Sequence, residues 1–150
     1  LFLLVGFVYE RAHTRYIPDL GGLASKMPFL TTALLVAGFA ALGLPGTSGF
    51  ASEILIFLGT FPVWSWLTAL GVFGVVLTAG YILWMIRRSM FGPEIERFSN
   101  VKDVSLMEMI PIAALVIAVL VVGIYPSLIT DVFSVGVDPI AALVQSAGIR

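Results

Sequence analysis

The sequence predicts an all-α integral membrane protein, and three observations carry that expectation. Apolar runs of about 20 residues, long enough to cross a bilayer core of about 30 Å, recur along its 150 residues. Between Met27 and Ile86 the one charged side chain is Glu53. Basic residues gather instead in two loops, Arg11, Arg15 and Lys26 in the first and Arg87, Arg88, Arg97 and Lys102 in the second. Hydrophobic residues make up 59% of the chain and charged residues 11%, against about a quarter charged in an ordinary soluble domain. Mean hydropathy is +1.07, and a soluble protein of this size has no use for so many uncharged runs.

Each element follows in turn. Residues 1–9 read as the end of a spanning helix. Leu1 sits inside an apolar run without the charged region that opens a signal peptide, so the chain is expected to be the later part of a longer subunit. Pro18 and the Gly21-Gly22 pair punctuate a loop up to Lys26. A span is predicted over 28–61, broken near 44–49, because one unbroken helix of that length would reach roughly 50 Å. A turn at 59–64 leads to a span over 65–86 that ends at Arg87-Arg88. A charged loop covers 89–108, and a last span over 107–125 stops at Pro126, which is poorly suited to continuing a helix. The tail from Ser127 is expected to be mixed, with a short interfacial helix over 139–147. The excess of Lys and Arg marks cytoplasmic loops; both basic loops then face the cytoplasm and the 59–64 turn faces the other side. Three spans between residues 28 and 88 would put Arg87-Arg88 on the wrong side, whereas two satisfy both loops. Only Arg150 runs against the rule.

Composition excludes several functions. Net charge is −1, which leaves no basic surface for nucleic acid. The chain has no cysteine and a single histidine, His13. That removes disulfides, iron–sulfur ligation and a histidine pair for haem. No Asp/Glu/His cluster suited to a metal accompanies Glu53. Any redox chemistry is expected on another polypeptide, with no cofactor in this chain.

The stretch GLPGTSGFASE, residues 43–53, concentrates the candidate chemistry. Irregular backbone at membrane depth is tolerated only where protein or water satisfies its N–H and C=O groups. Pro45 removes a helical donor, Gly46 and Gly49 permit unusual backbone angles, and Thr47 and Ser48 can bond liberated backbone groups or water. Glu53 follows at once. A charged side chain in mid-membrane costs about 2.5–3.5 kcal/mol on insertion scales, and an acid beside a hydrated break can take up a proton and return it. A plain hinge, with Glu53 snorkelling or pairing with a neighbouring chain, accounts for the same residues, and both readings stand on the sequence alone. His13 is a loop residue or a proton shuttle. Arg15 is a loop charge that could bias proton uptake at a cytoplasmic cavity mouth. Trp64, Trp66 and Trp84 suit interfacial anchoring, and Glu108 suits the N-terminal end of a helix.

YERAHTR (9–15), GGLASKMP (21–28) and GLPGTSGFASE, in this order and spacing, resemble the proton-conducting, antiporter-like membrane subunits of respiratory complex I and its photosynthetic relatives. The type most similar is subunit 4 (chain M) of the proton-pumping NADH/NAD(P)H:quinone oxidoreductases. The resemblance runs from Leu1 to the last span and is weaker after about Ile129. It implies the C-terminal four-helix portion of a fourteen-helix subunit: the end of helix 11, a broken helix 12, and helices 13 and 14. In that family the broken helix carries a protonatable residue on the route to the positive side, and Glu53 stands there; a lysine would mark the other antiporter-like chains. Arg15 matches a loop arginine, and His13 lies in the same loop. The resemblance also implies a proton path coupled to quinone reduction, with NADH (or ferredoxin) and quinone used by partner subunits. The implied partners are other membrane-arm subunits, the lipid bilayer, protons and water, in a bacterial plasma membrane or a thylakoid membrane. The earlier half of the family pattern, with its buried glutamate and lysines, does not fall in these residues. The alternatives are a subunit of a multisubunit sodium/proton antiporter and a non-conducting structural subunit.

Overall fold

A computed structural model describes residues 1–146, apart from the side chains of Val144 and Gln145. Arg150 and the last residue of the expected 139–147 helix therefore lie outside the described residues. Helices follow one another without a strand among the described residues: α1 (Phe2–Ala12), α2 (Leu23–Lys26), α3 (Pro28–Ala41), α4 (Ser48–Met90), α5 (Leu106–Ile124) and α6 (Ser127–Ser146). α4 and α5 are long and apolar enough to cross a bilayer. Their outward faces carry exposed Leu58, Trp66, Phe73, Val76 and Ile117, a surface suited to hydrocarbon. The protein is an integral membrane protein.

Polar loops place both basic segments at one end. A Cβ on Gly21 would lie 2.6 Å from the Pro93 carbonyl oxygen, so the loop after α1 presses on the loop after α4. Lys26 reaches Glu94 at 3.9 Å. From this end α3 runs antiparallel to the second part of α4: Thr31 Oγ1 lies 3.4 Å from Met90 Sδ, and a Cβ on Gly38 would meet Ile86 Cδ1 at 2.7 Å. Leu23, Met27 and Leu30, each fully buried, join Leu4, Val8, Ile82, Ile86 and Ile112 in one apolar core.

α4 consists of two helical arms that meet at a sharp bend. Trp64 has non-helical angles (φ −138°, ψ 56°), two residues after Pro62. Pro62 removes one ladder bond and crowds the turn before it, whereas the bend itself falls after it, at Trp64. The Thr68 hydroxyl lies 3.0 Å from the Thr60 hydroxyl. Eight residues along a straight helix would separate them by about 12 Å, so the chain doubles back at Trp64. The expected 59–64 loop is thus compressed into a single non-helical residue. The two arms, 48–63 and 65–90, measure about 24 and 39 Å; the second continues past the expected end at Ile86 to Met90.

The tail departs from the sequence expectation. Instead of mixed structure with a short helix, α6 runs from Ser127 to Ser146. Pro126 stops α5 but lies immediately before α6, where its missing N–H breaks no ladder. Ser127, Asp131, Ser134 and Asp138 recur at steps of four and three, which lines them along one face of the helix.

Candidate functional site

The break lies between α3 and α4. α3 has 14 residues, about 21 Å, and its end is tied off by hydrogen bonds from the Leu42 amide to the Gly38 and Phe39 carbonyls, the Gly43 amide to Ala40 (3.2 Å) and the Leu44 amide to Phe39 (3.1 Å). Gly43 (φ 69°) and Gly46 (φ 90°) take left-handed angles, which cost glycine nothing and other residues strain. The irregular piece is 42–47. Ser48 and Gly49, expected within it, instead form the first turn of α4, because Thr47 already adopts the extended angles of a helix N-cap (φ −111°, ψ 157°).

Thr47 is buried at 3% exposure. Its hydroxyl donates to the Leu44 carbonyl at 2.7 Å, and its amide donates to the same carbonyl at 3.1 Å. One freed carbonyl thereby gains two partners inside the chain. No side-chain hydrogen bond is made by Ser48 among the described residues, whereas the Ser52 hydroxyl donates to the Gly49 carbonyl at 2.8 Å. Pro45 is exposed. The start of α4 folds back beside the last turn of α3, and a Cβ on Gly49 would collide with the Ala40 carbonyl oxygen.

Glu53 lies in the second turn of α4 and is half-buried. Helical side chains tilt toward the N-terminus, so its carboxylate reaches back over the break. The space beside Gly43 is filled by that group: a Cβ there would sit 2.5 Å from Glu53 Oε2 and 3.2 Å from its Cδ. The sequence motif and the acid are thus one site, built from Gly43, Thr47, Gly49 and Glu53.

α5 closes the site from the other side. A Cβ on Gly123 would clash with the Gly46 carbonyl oxygen and with the Thr47 backbone. Neither Gly43 nor Gly123 was singled out by the sequence motif of residues 45–49. Gly43 begins the same glycine-proline stretch and was readable there; Gly123 sits inside an apolar span with no local signal.

His13 and Arg15 are elsewhere. His13 ends α1 in a left-handed conformation (φ 53°, ψ 22°), its amide donating to the Tyr9 carbonyl, and its side chain is exposed. The exposed Arg15 guanidinium lies over the Tyr9 ring at 4.4 Å. Both belong to the loop end of the molecule, and the length of α3 separates that end from Gly43. Among the described residues no hydrogen bond or ion pair joins either to Glu53. At the same loop end, Arg11 pairs with Glu108 at 2.6 Å and donates to the Lys102 carbonyl at 2.9 Å. Asp103 accepts from the Phe29 and Leu30 amides at 2.8 and 3.2 Å, capping α3 across 70-odd residues of chain. Among the described residues, no three His, Asp or Glu side chains converge as a metal-ligand set.

Comparison with known proteins gives a consistent result. A family model described as NADH:quinone oxidoreductase/Mrp antiporter, TM, matches residues 1–78, a stretch that contains the break and Glu53. NADH-quinone oxidoreductase subunit M of Rhodobacter capsulatus is 42% identical over 97% of the chain. F(420)H(2) dehydrogenase subunit M of Methanosarcina mazei is 36% identical over 99% of it. The chain spans 28% and 30% of the lengths of these relatives. A structure of respiratory complex I from Thermus thermophilus with bound NADH contains a similar fold, with a TM-score of 0.76 and 36% identity, covering 83% of this chain and 26% of that one.

Proposed function

Because the chain belongs to the NADH:quinone oxidoreductase/Mrp antiporter transmembrane family, we propose that it is the C-terminal part of a subunit-M-type membrane subunit of a proton-pumping NADH:quinone oxidoreductase, with Glu53 as a proton-carrying group. The observation that carries the proposal is the seating of the Glu53 carboxylate on the unwound backbone at Gly43. A lone acid in an apolar segment is costly unless it faces protein or a wet cavity, and the break is where backbone geometry departs from the helix that would shield it.

In this reading Glu53 alternates between neutral and ionised forms as charge pairs elsewhere in the membrane arm rearrange, and water reaching residues 45–49 carries the proton onward. Electron transfer from NADH, or from ferredoxin in photosynthetic relatives, to quinone takes place on partner subunits. One relative is named for F420H2 and not for NADH, so the proposal assigns to this chain the proton step and leaves the electron donor to its partners. The membrane is a bacterial plasma membrane or a thylakoid membrane.

The test replaces Glu53 by Gln in the assembled complex, in membrane vesicles. Protons moved per quinone reduced should fall while assembly and membrane insertion persist. Unchanged translocation would overturn the proposal and leave a scaffold role; transport that depends on sodium would point to the antiporter branch of the family.

A further inference from the structure

We infer that Gly43 is the positioning residue for Glu53: having only hydrogen in place of a side chain, it leaves the space in which the carboxylate rests against the break. The inference rests on the reading of Glu53 as the proton-carrying group and adds which residue fixes where that group sits.

The geometry at Gly43 is specific. The three atoms nearest to a Cβ there would be Glu53 Oε2 (2.5 Å), Cδ (3.2 Å) and Oε1 (3.5 Å), all from one carboxylate. Such a methyl group and the carboxylate in its present place exclude each other, and the carboxylate, at the end of a flexible chain, is the one that yields. No hydrogen bond or ion pair among the described residues holds Glu53 in place, so packing on the Gly43 backbone is the contact that localises it.

The break also contains its own control. Gly43 and Gly46 both have left-handed backbone angles (φ 69° and 90°), so alanine strains the backbone at either position. Yet a Cβ on Gly46 would meet nothing within 4 Å. The two substitutions share the backbone penalty and differ in the collision with Glu53.

The experiment compares G43A, G46A, E53Q and the G43A/E53Q double variant in full-length subunits within the assembled complex, reading protons moved per quinone reduced across a pH series. G43A should lower translocation on the order of tenfold, the kind of loss that follows misplacement of a reacting group, and should move the pH profile. G46A strains the same break without touching Glu53, so whatever translocation it loses it should leave the pH profile in its original place. In the E53Q background G43A should add no further loss. Equal displacements of the pH profile in G43A and G46A, or additive losses in the double variant, overturn the positioning role while leaving the function of Glu53 intact. An E53Q variant that pumps normally overturns the functional reading itself. If G43A fails to assemble, G43A/E53D decides: the side chain shorter by one methylene makes room for the methyl group, and restored assembly supports the contact, whereas failure to restore it overturns the inference.

Discussion

Gly123 of α5 lies against Thr47, so closely that a methyl group on its Cα would occupy the place of the Thr47 backbone. The two residues are far apart in sequence, and their contact fixes the irregular loop between α3 and α4 against a helix that spans the membrane. Small residues allow such close backbone approach between membrane helices. Substituting Gly123 by Ala should therefore lower stability by about 1–3 kcal/mol, the scale of overpacking. The matching change at Gly136, where a Cβ would meet nothing within 4 Å, should cost nothing. Thermal unfolding midpoints of the two variants check this, and equal midpoints would show that α5 does not press on the break.

Thr47 predicts a second difference. Its hydroxyl and amide both serve the Leu44 carbonyl, and its side chain is buried. Val at this position keeps the shape but removes the hydroxyl donor, a loss of about 0.5–1.5 kcal/mol for a net hydrogen bond. Ser keeps the donor and loses only a methyl group. Thr47→Val should open the break to faster amide exchange at Thr47 and Ala51, with Thr47→Ser much closer to the parent. Identical exchange in both variants would remove the hydroxyl from the account.

The break was legible because its cause is local: Pro45, Gly46 and the hydroxyls of Thr47 and Ser48 interrupt an apolar run in which nothing else does. What packs on the break was not legible. Gly123 is one glycine in an apolar helix, and its partner is known only once α5 lies alongside α3. The reversal at Trp64 was visible as a parity requirement from the two basic loops, but not as a kink, because Pro62 marks a disrupted turn without specifying its width. The first part of α6, before residue 139, was missed because Pro126 reads as a stop, while the same proline is compatible with the start of the next helix. Asp103 and Arg11 looked like ordinary loop charges, since a charge discloses nothing of a partner that is brought to it by folding.

Asp103 acts as an N-cap supplied from another part of the chain. Met27, the residue at the N-cap of α3, provides no side-chain cap, and Asp103 accepts from the amides of Phe29 and Leu30 in its stead. Its charge is also favourable at a helix N-terminus. Asp103→Ala should cost about 1 kcal/mol, typical for a lost cap, whereas Asn, itself a good cap, should retain most of it. Hydrogen exchange at Phe29 and Leu30 is the direct measurement. Unaltered protection in the Ala variant would mean that α3 does not depend on this loop.

Arg11 ties three segments at once. It accompanies the last turn of α1, where a cation is favoured, and donates to the Phe7 carbonyl (3.1 Å), the Lys102 carbonyl (2.9 Å) and Glu108 Oε2 (2.6 Å). Glu108 in turn accepts from the Ser105 amide at 2.6 Å, and Ser105 Oγ accepts from the Glu108 amide at 3.4 Å, completing a capping box on α5. The pair is mostly shielded, with side-chain exposures of 15% and 26%, so salt should weaken it less than an exposed pair. Arg11→Lys keeps the charge but loses the planar fork that reaches several acceptors together, and should recover only part of the stability lost in Arg11→Met. Arg11→Met and Glu108→Gln should also be non-additive, because each removes the same contact. A double-mutant cycle on thermal midpoints at low and high salt measures both effects. Additive single changes, or a Lys variant equal to the parent, would show that α1 and α5 are held together by their apolar faces alone.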